Sequence, residues 1–409
     1  MPWKRSWPDR ERGNKMNCIG LDLGTGAVKG VCWNSAKGVL KKISERVAFE
    51  HPAPDWIEID PETYRKQIFR IIGELAQGAN GPVDGIAFAA ASGNTMLCDR
   101  TGTPRTKIIS WLDTRLKDWL PPEEWQVRQT TGWPRIPTFT LMHLEYFRRT
   151  APGLLADSQI AMNNDHLTWE LCGNHTLDSS NAAPFYLWDQ AKQCPAPYLD
   201  HYGIKPSQLP EIVKPGTPAG CLKKVYCLGN LTGKTVIAAG SFDHPAGARA
   251  AGVLEPGSML LSCGTSWVGF YPVPRREDVP MNELCDTFQS GSGGCWGPMF
   301  SLAKVGVEVE EFICGRYGNN PQRYEEFNSE AEKAGSPAQE MMLSVIRRFK
   351  ERFDRHAGVE RIVLSGGPSE GKTWPKLIEE CLKVKVEISP YHSYTGAVGA
   401  AQLAGGVMQ

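Results

Sequence analysis

Apolar and polar positions along the chain change rhythm repeatedly, and the changes predict alternating strands and helices. "NCIGLDLGTGAVKGVCWN" (17–34) holds two β-rich runs joined by Gly24-Thr25-Gly26, the pattern of strand, tight turn and strand. "PETYRKQIFRIIGELA" (61–76) opens on a proline and spaces its apolar residues as a helix does. "VDGIAFAAAS" (83–92) reads as a buried strand entering a polar loop, and "TFTLMHLEYFRRT" (138–150) and "DHLTWELCG" (165–173) read as helices. A second series begins near residue 234. "TVIAAGSFDHPAGARAAGVL" (235–254) predicts a strand, a charged loop and a small-residue helix, and "SMLLSCGTSWVGFY" (258–271) a second glycine hairpin. "QEMMLSVIRRFKERF" (339–353) is strongly amphipathic. Each half thus carries one Gly-Thr turn between strands, the kind of echo a duplicated domain leaves.

Composition narrows the classes. At 409 residues, two domains are the default. With 45 basic against 45 acidic residues, no global field draws the protein to nucleic acid or membrane. No apolar run approaches the roughly 18–20 residues a bilayer demands. The twelve cysteines form no C-x-x-C pair and the eight histidines no H-E-x-x-H, so a reducing cytoplasm is expected. Residues 1–15, polar and basic, read as an N-terminal extension without the apolar core of a signal peptide.

Four stretches offer chemistry. A D-x-G-T-G hairpin exposes backbone N–H groups to phosphate oxygens; Thr25 adds a hydroxyl, and Asp22 suits Mg²⁺ held through water. The same hairpin also reads as an ordinary turn capped by Asp22. Asp243, between strand and helix, reads either as an N-cap or as a general base. Asp113 and Arg115 share a face in "SWLDTR" and read first as a structural ion pair, otherwise as ligands of sugar hydroxyls. "RIVLSGGPSEGKTW" (361–374) contains G-x-x-x-x-G-K-T over Gly366–Thr373, the letters of a P-loop. Only 36 residues follow Thr373, too few for the sheet a P-loop domain builds downstream.

Taken in order, "GLDLGTGAVKG", "DWIEIDPE", "WLDTR", "DSSNAA", "LPEIVKPGTPAG", "GSFDHPAGARAAG", "LSCGTS" and "LSGGPSEGKTW" resemble the FGGY carbohydrate kinases. The resemblance covers residue 17 to about 270 and again about 340 to 405. It implies an α/β, actin-like ATPase fold: two ribonuclease-H-like domains with the active site in the cleft between them. The expected division is 16–232 and 233–409. The implied activity transfers the γ-phosphoryl group of ATP, with Mg²⁺, to a sugar or polyol hydroxyl. By the same resemblance Gly24, Thr25 and Gly26 bind phosphate, as do Gly264, Thr265 and Ser266. Asp22 and Asp243 lie at the metal, Asp243 is the catalytic aspartate, and Gly366 and Gly367 support the adenosine. The P-loop letters are then accidental.

Ala90-Ala91-Ser92-Gly93 stands where xylulokinases carry Gln-Met-His, so Ser92 joins Asp113 and Arg115 as expected substrate contacts. A ketopentose, ribulose or xylulose, is the lead acceptor; another ketose, or a polyol, is the alternative. Between Phe270 and Arg361 there are 90 residues, fewer than relatives use, and no Gly-x-Arg-x-Pro segment. The second domain reads as trimmed, which keeps a non-catalytic ATP-binding regulator in view. Dimers are common in the family, and no residue here decides that point.

Overall fold

The computed structural model describes residues 15–118, 124–136, 138–289, 294–356 and 358–406, so the expected extension lies outside it apart from Lys15. Two compact units share the chain. The first ends at Ala246 and takes in Cys285–Thr287 and the segment from Gly396; the second holds Gly247–Leu284 and Phe288–Thr395. The division falls after Ala246 rather than between 232 and 233. The reason is pairing: Val236–Ala238 and Ser241–Phe242 both run parallel to Gly85–Ala90 of the first sheet.

Within the first unit, Asn17–Leu23 lies between an antiparallel partner, Ala27–Asn34, and a parallel one, Gly85–Ala90. Gly38–Arg46 extends the antiparallel side and Val236–Ala238 the parallel side. Period-two alternation gives the central strand two different faces. Ile19, Leu21 and Leu23 join a core with Ile68, Ile71 and Leu75 of the helix Pro61–Ala76. That helix has the bounds its periodicity predicts: Asp60 accepts the Thr63 N–H at 2.8 Å, and Pro61 lacks only an N–H the first turn leaves unpaired. On the opposite face a Cβ at Gly20 would lie 2.0 Å from the Ala397 carbonyl oxygen and 2.3 Å from the Ala401 nitrogen. Helix Thr395–Ala404 therefore packs onto bare backbone. A smaller sheet of Glu58–Ile59, Ile108–Ile109, Thr95–Cys98 and Gln159–Met162 carries the loop from Ser110 to Arg115.

The second unit repeats the first unit's sheet order. Gly297–Leu302, Trp267–Phe270, Ser258–Cys263, Arg361–Gly366 and Lys385–Ile388 follow one another with two antiparallel and then two parallel pairings. Met259, Leu261, Ile362 and Leu364 meet Val345, Ile346 and Phe349 of the helix Pro337–Phe353 in its core. The echo of the hairpins is thus a repeat of topology as well as of letters.

Gly366–Thr373 does not wrap as a P-loop. Strand Arg361–Gly366 ends at the first glycine, Gly367–Glu370 forms a 3₁₀ turn, and Ser369 Oγ donates to the Gly366 carbonyl at 2.6 Å. Gly366 has φ 91°, and a Cβ there would lie 2.0 Å from the Cys263 oxygen, so glycine serves a close approach to the neighbouring strand. Lys372 is exposed just before the helix Thr373–Leu382. Among the described residues no helix is long and apolar enough to cross a membrane.

Candidate functional site

Two carboxylates dominate the first unit's chemistry. Asp22 sits near the end of the central strand, and Asp243 follows Ser241–Phe242 at the start of the helix Asp243–Ala250. Burial pushes the Asp22 carboxyl up to about 7, helped by the negative charge of Asp243, against the opposing pull of Lys29 and His244. Asp243 is also pushed up to about 7, by burial, although it accepts the N–H of His244 at 2.7 Å. Asp22 Oδ1 is buried and has no hydrogen-bond partner among the described residues. A Cβ on Gly396 would lie 2.8 Å from Asp22 Oδ2, so only a residue without a side chain fits beside that oxygen.

An orphaned carboxylate oxygen with a second, half-buried carboxylate nearby is suited to a hard divalent cation. The described residues contain no group of three or more His, Cys, Asp and Glu that could hold a metal. Two carboxylates with the remaining positions left to water and phosphate is the usual Mg²⁺ arrangement, and these residues fit it.

Beside Asp22 the turn Gly24–Gly26 is tied to the loop above it, since Trp111 Nε1 donates to Thr25 Oγ1 at 3.0 Å. Trp111 meets Phe139 edge-on at 6.3 Å, Phe139 meets Trp133 at 5.9 Å, and Trp133 meets Phe242 at 5.5 Å. A chain of packed, mostly buried aromatic rings therefore runs from the glycine turn to the residue preceding Asp243. Tyr64, Asn94 and Asn163 border a small pocket beside Gly24, Thr25 and Trp111.

The three expected sugar contacts are each held by hydrogen bonds within the protein. Asp113, 1% exposed, accepts the Ile57 N–H at 2.7 Å and Arg115 Nη2 at 2.7 Å. Arg115 also reaches Glu58 at 2.7 Å and stacks over Trp56 at 3.7 Å. This network buries both side chains, Arg115 at 3% exposure. Ser92 is 3% exposed, and its hydroxyl donates to Asn181 Oδ1. Asn181 in turn donates to Asp178, and the neighbouring Ser180 accepts the Phe242 N–H at 3.1 Å and donates to Asp286 at 2.6 Å. The "DSSN" segment thus anchors both the Ser92 loop and the strand end that carries Asp243.

In the second unit, Gly264–Ser266 forms the hairpin turn, with the Gly264 N–H donating to the Ser266 carbonyl at 3.1 Å. Gly366 pairs with Cys263, one residue before that turn. The helix Val305–Tyr317 starts against it: the Gly306 N–H donates to the Thr265 carbonyl at 3.0 Å, and a Cβ at Gly306 would lie 2.1 Å from the Gly264 oxygen. A helix N-terminus at a glycine turn adds N–H groups and positive potential for an anion.

Sequence reasoning missed Trp111, Trp133, Phe139 and Gly306. The tryptophans were visible only as letters flanking "LDTR" and "PRIP", since no local rule joins distant aromatics.

Residues 17–249 match the model of the FGGY family of carbohydrate kinases, N-terminal domain. The xylulose kinase of Escherichia coli (strain K12) is 27% identical over 258 residues, 62% of this chain and 53% of that protein. The chain spans about half the length of the curated relatives it matches. Among solved structures, a gluconate kinase from Lactobacillus acidophilus matches with TM-score 0.83 and 18% identity, covering 97% of this chain and 90% of that one. A Plasmodium falciparum glycerol kinase with ADP matches with TM-score 0.82 and 16% identity over the same shares, 97% and 90%. The fold is the actin-like ATPase fold.

Proposed function

The chain belongs to the FGGY family of carbohydrate kinases, and from that premise we propose that it transfers the γ-phosphoryl group of ATP to a hydroxyl of a small sugar. One observation supports this most: Asp22 and Asp243 both have raised carboxyls, and Asp243 lies close enough for its charge to raise Asp22 beside a glycine hairpin. A structural role would favour removing such a pair, because buried like charges destabilise a fold unless something compensates them.

In this reading the attacking hydroxyl oxygen bonds to the γ-phosphorus while the bond to the β,γ-bridging oxygen breaks and ADP leaves. Asp243 takes the hydroxyl proton; a carboxyl that titrates near 7 is matched to that task. Asp22 and Asp243 hold Mg²⁺, which when bound offsets charge on the phosphates. Gly24, Thr25 and Gly26 give the phosphates N–H and hydroxyl donors; Gly264, Thr265 and Ser266 form a second such element. Gly366 and Gly367 support the adenosine. The relatives' names span xylulose, gluconate and glycerol. A ketopentose, ribulose or xylulose, is the reference acceptor, with other ketoses and polyols beside it. The test is ADP release with Mg²⁺ and ATP across that panel; ATP binding without acceptor-dependent turnover would sink the reading.

Two further results are expected. Lys372→Ala should leave the KM for ATP and kcat within about 3-fold of the parent, whereas a P-loop lysine would be essential. Mg²⁺ should raise Tm by a few °C more at pH 8 than at about pH 6. The sign follows from Asp22 and Asp243, whose carboxyls are raised from 3.8 to about 7 by folding. Their contribution to stability is complete below pH 4 and is lost as pH rises through 7, where the ionised pair is unmet unless a cation binds. Equal gains at both pH values in a thermal melt would contradict it.

A further inference from the structure

The first unit takes in a short insert, Cys285–Thr287, whose neighbours on both sides belong to the second unit. Hydrogen bonds to either side of its middle residue seat it. The Cys285 N–H donates to the Gly132 carbonyl at 3.1 Å, and the Cys285 carbonyl accepts Trp133 Nε1 at 2.9 Å. The Thr287 and Ser179 hydroxyls meet at 3.3 Å. The middle residue, Asp286, is 0% exposed. The bonds of Cys285 and Thr287 do not depend on what stands between them, so the seat itself does not call for a buried acid. Taking a carboxylate out of water is costly, and a purely structural position is filled as well by a neutral side chain.

What the acid does is visible in its partner. Ser180 Oγ donates to Asp286 Oδ2 at 2.6 Å, accepts the Phe242 N–H at 3.1 Å, and lies 3.4 Å from the Ser241 hydroxyl. A hydroxyl has one hydrogen and two lone pairs, and a carboxylate only accepts. Giving the hydrogen to Asp286 leaves the lone pairs of Ser180 for the Phe242 N–H. A charged acceptor holds that orientation more firmly than a neutral one. Phe242 ends a strand only two residues long, paired with Ala89 and Ala90, and Asp243 follows it directly. So short a ladder leaves the Ser180 bond a large share in fixing where Asp243 begins.

We propose that Asp286 is a positioning residue for the reaction: through Ser180 it fixes the backbone that carries Asp243. With no exposed surface, it meets no substrate itself. This rests on the kinase reading above, in which Asp243 takes the proton of the attacking hydroxyl. A general base works only within hydrogen-bond reach of its proton, and a misplacement of about 1 Å can cost on the order of 10²-fold in rate.

The test compares the full-length parent with Asp286→Ala, Asp286→Asn and Thr287→Val by ADP release, thermal melt and amide exchange at Phe242. Asp286→Ala should lower kcat by about 10–100-fold, with KM for ATP and for the acceptor within about 3-fold of the parent. Asp286→Asn keeps an acceptor oxygen for Ser180, and its kcat should stay within about 5-fold. Thr287→Val removes a seat bond without touching Ser180; it should lose Tm while kcat stays within about 3-fold. Exchange at Phe242 should quicken by about 10-fold or more in Asp286→Ala and not in the other two variants. A rise in KM in place of the fall in kcat overturns the proposal, as does an equal fall in kcat in Asp286→Ala and Thr287→Val. So does unchanged exchange at Phe242 in Asp286→Ala. If that variant does not fold, Ser180→Ala, which removes the bridging hydroxyl, takes its place with the same expected results. If the parent releases no ADP with any acceptor, the kinase reading fails, and exchange at Phe242 alone decides whether Asp286 fixes that backbone.

Discussion

Asp243→Asn is expected to lower acceptor-dependent ADP release by about 10²–10⁴-fold, the range that removal of a general base produces. The substitution keeps shape and replaces an ionisable oxygen by an amide, so loss of structure is not the anticipated cause. Stability should move the other way. Asp243 is raised to about 7 by burial, so above that pH the folded protein carries a carboxylate it would rather keep protonated. The Asn variant has no such cost and should melt at the same temperature as the parent, or higher, near pH 8. An Asn variant that keeps activity within a few-fold would remove Asp243 from the chemistry. One that unfolds would show that the carboxylate holds the fold, which its few partners do not suggest. ADP release and a melting curve on the same sample separate these outcomes.

Gly20→Ala should abolish cooperative folding. The new methyl group would sit 2.0 Å from the Ala397 oxygen and 2.3 Å from the Ala401 nitrogen, and both are backbone atoms of one helix. Side chains can rotate out of a clash; a hydrogen-bonded helix can only be displaced as a body. The expected cost is above about 4–5 kcal/mol, much of the stability a typical domain has. Gly26→Ala is the control, because a Cβ there meets nothing within 4 Å and its φ is not left-handed. Its Tm should stay within about 2–3 °C of the parent. A Gly20→Ala protein that melts like the parent would contradict the packing described here.

Much of the fold was legible because its signals are local. The helix 61–76 combines a proline, a capping aspartate and helical spacing, and it forms with those bounds. The hairpins at 24–26 and 264–266 were legible for the same reason, and their likeness foretold two sheets of one topology. Pairing over long distances was not legible. The strand Val236–Ala238 looks like the start of a second domain until its parallel partner, Gly85–Ala90, is known. Asp113 and Arg115 show the same limit at the site. Their two-residue spacing suggests an ion pair but not its other partners; Trp56, Glu58 and the Ile57 N–H all come from another strand region.

The helix that covers Gly20 bears on how the chain is made. Gly20 emerges early in synthesis, but the backbone that packs on it, from Ala397 to Ala401, is translated after the whole second unit. Its docking surface must stay exposed on the growing chain through that interval, and contacts so far apart in sequence close slowly. Residues 17–249, the stretch that matches the family model, do not include this helix. Expressed alone, that stretch would present the uncovered face of its central strand to water and to other chains, an invitation to aggregate rather than to fold.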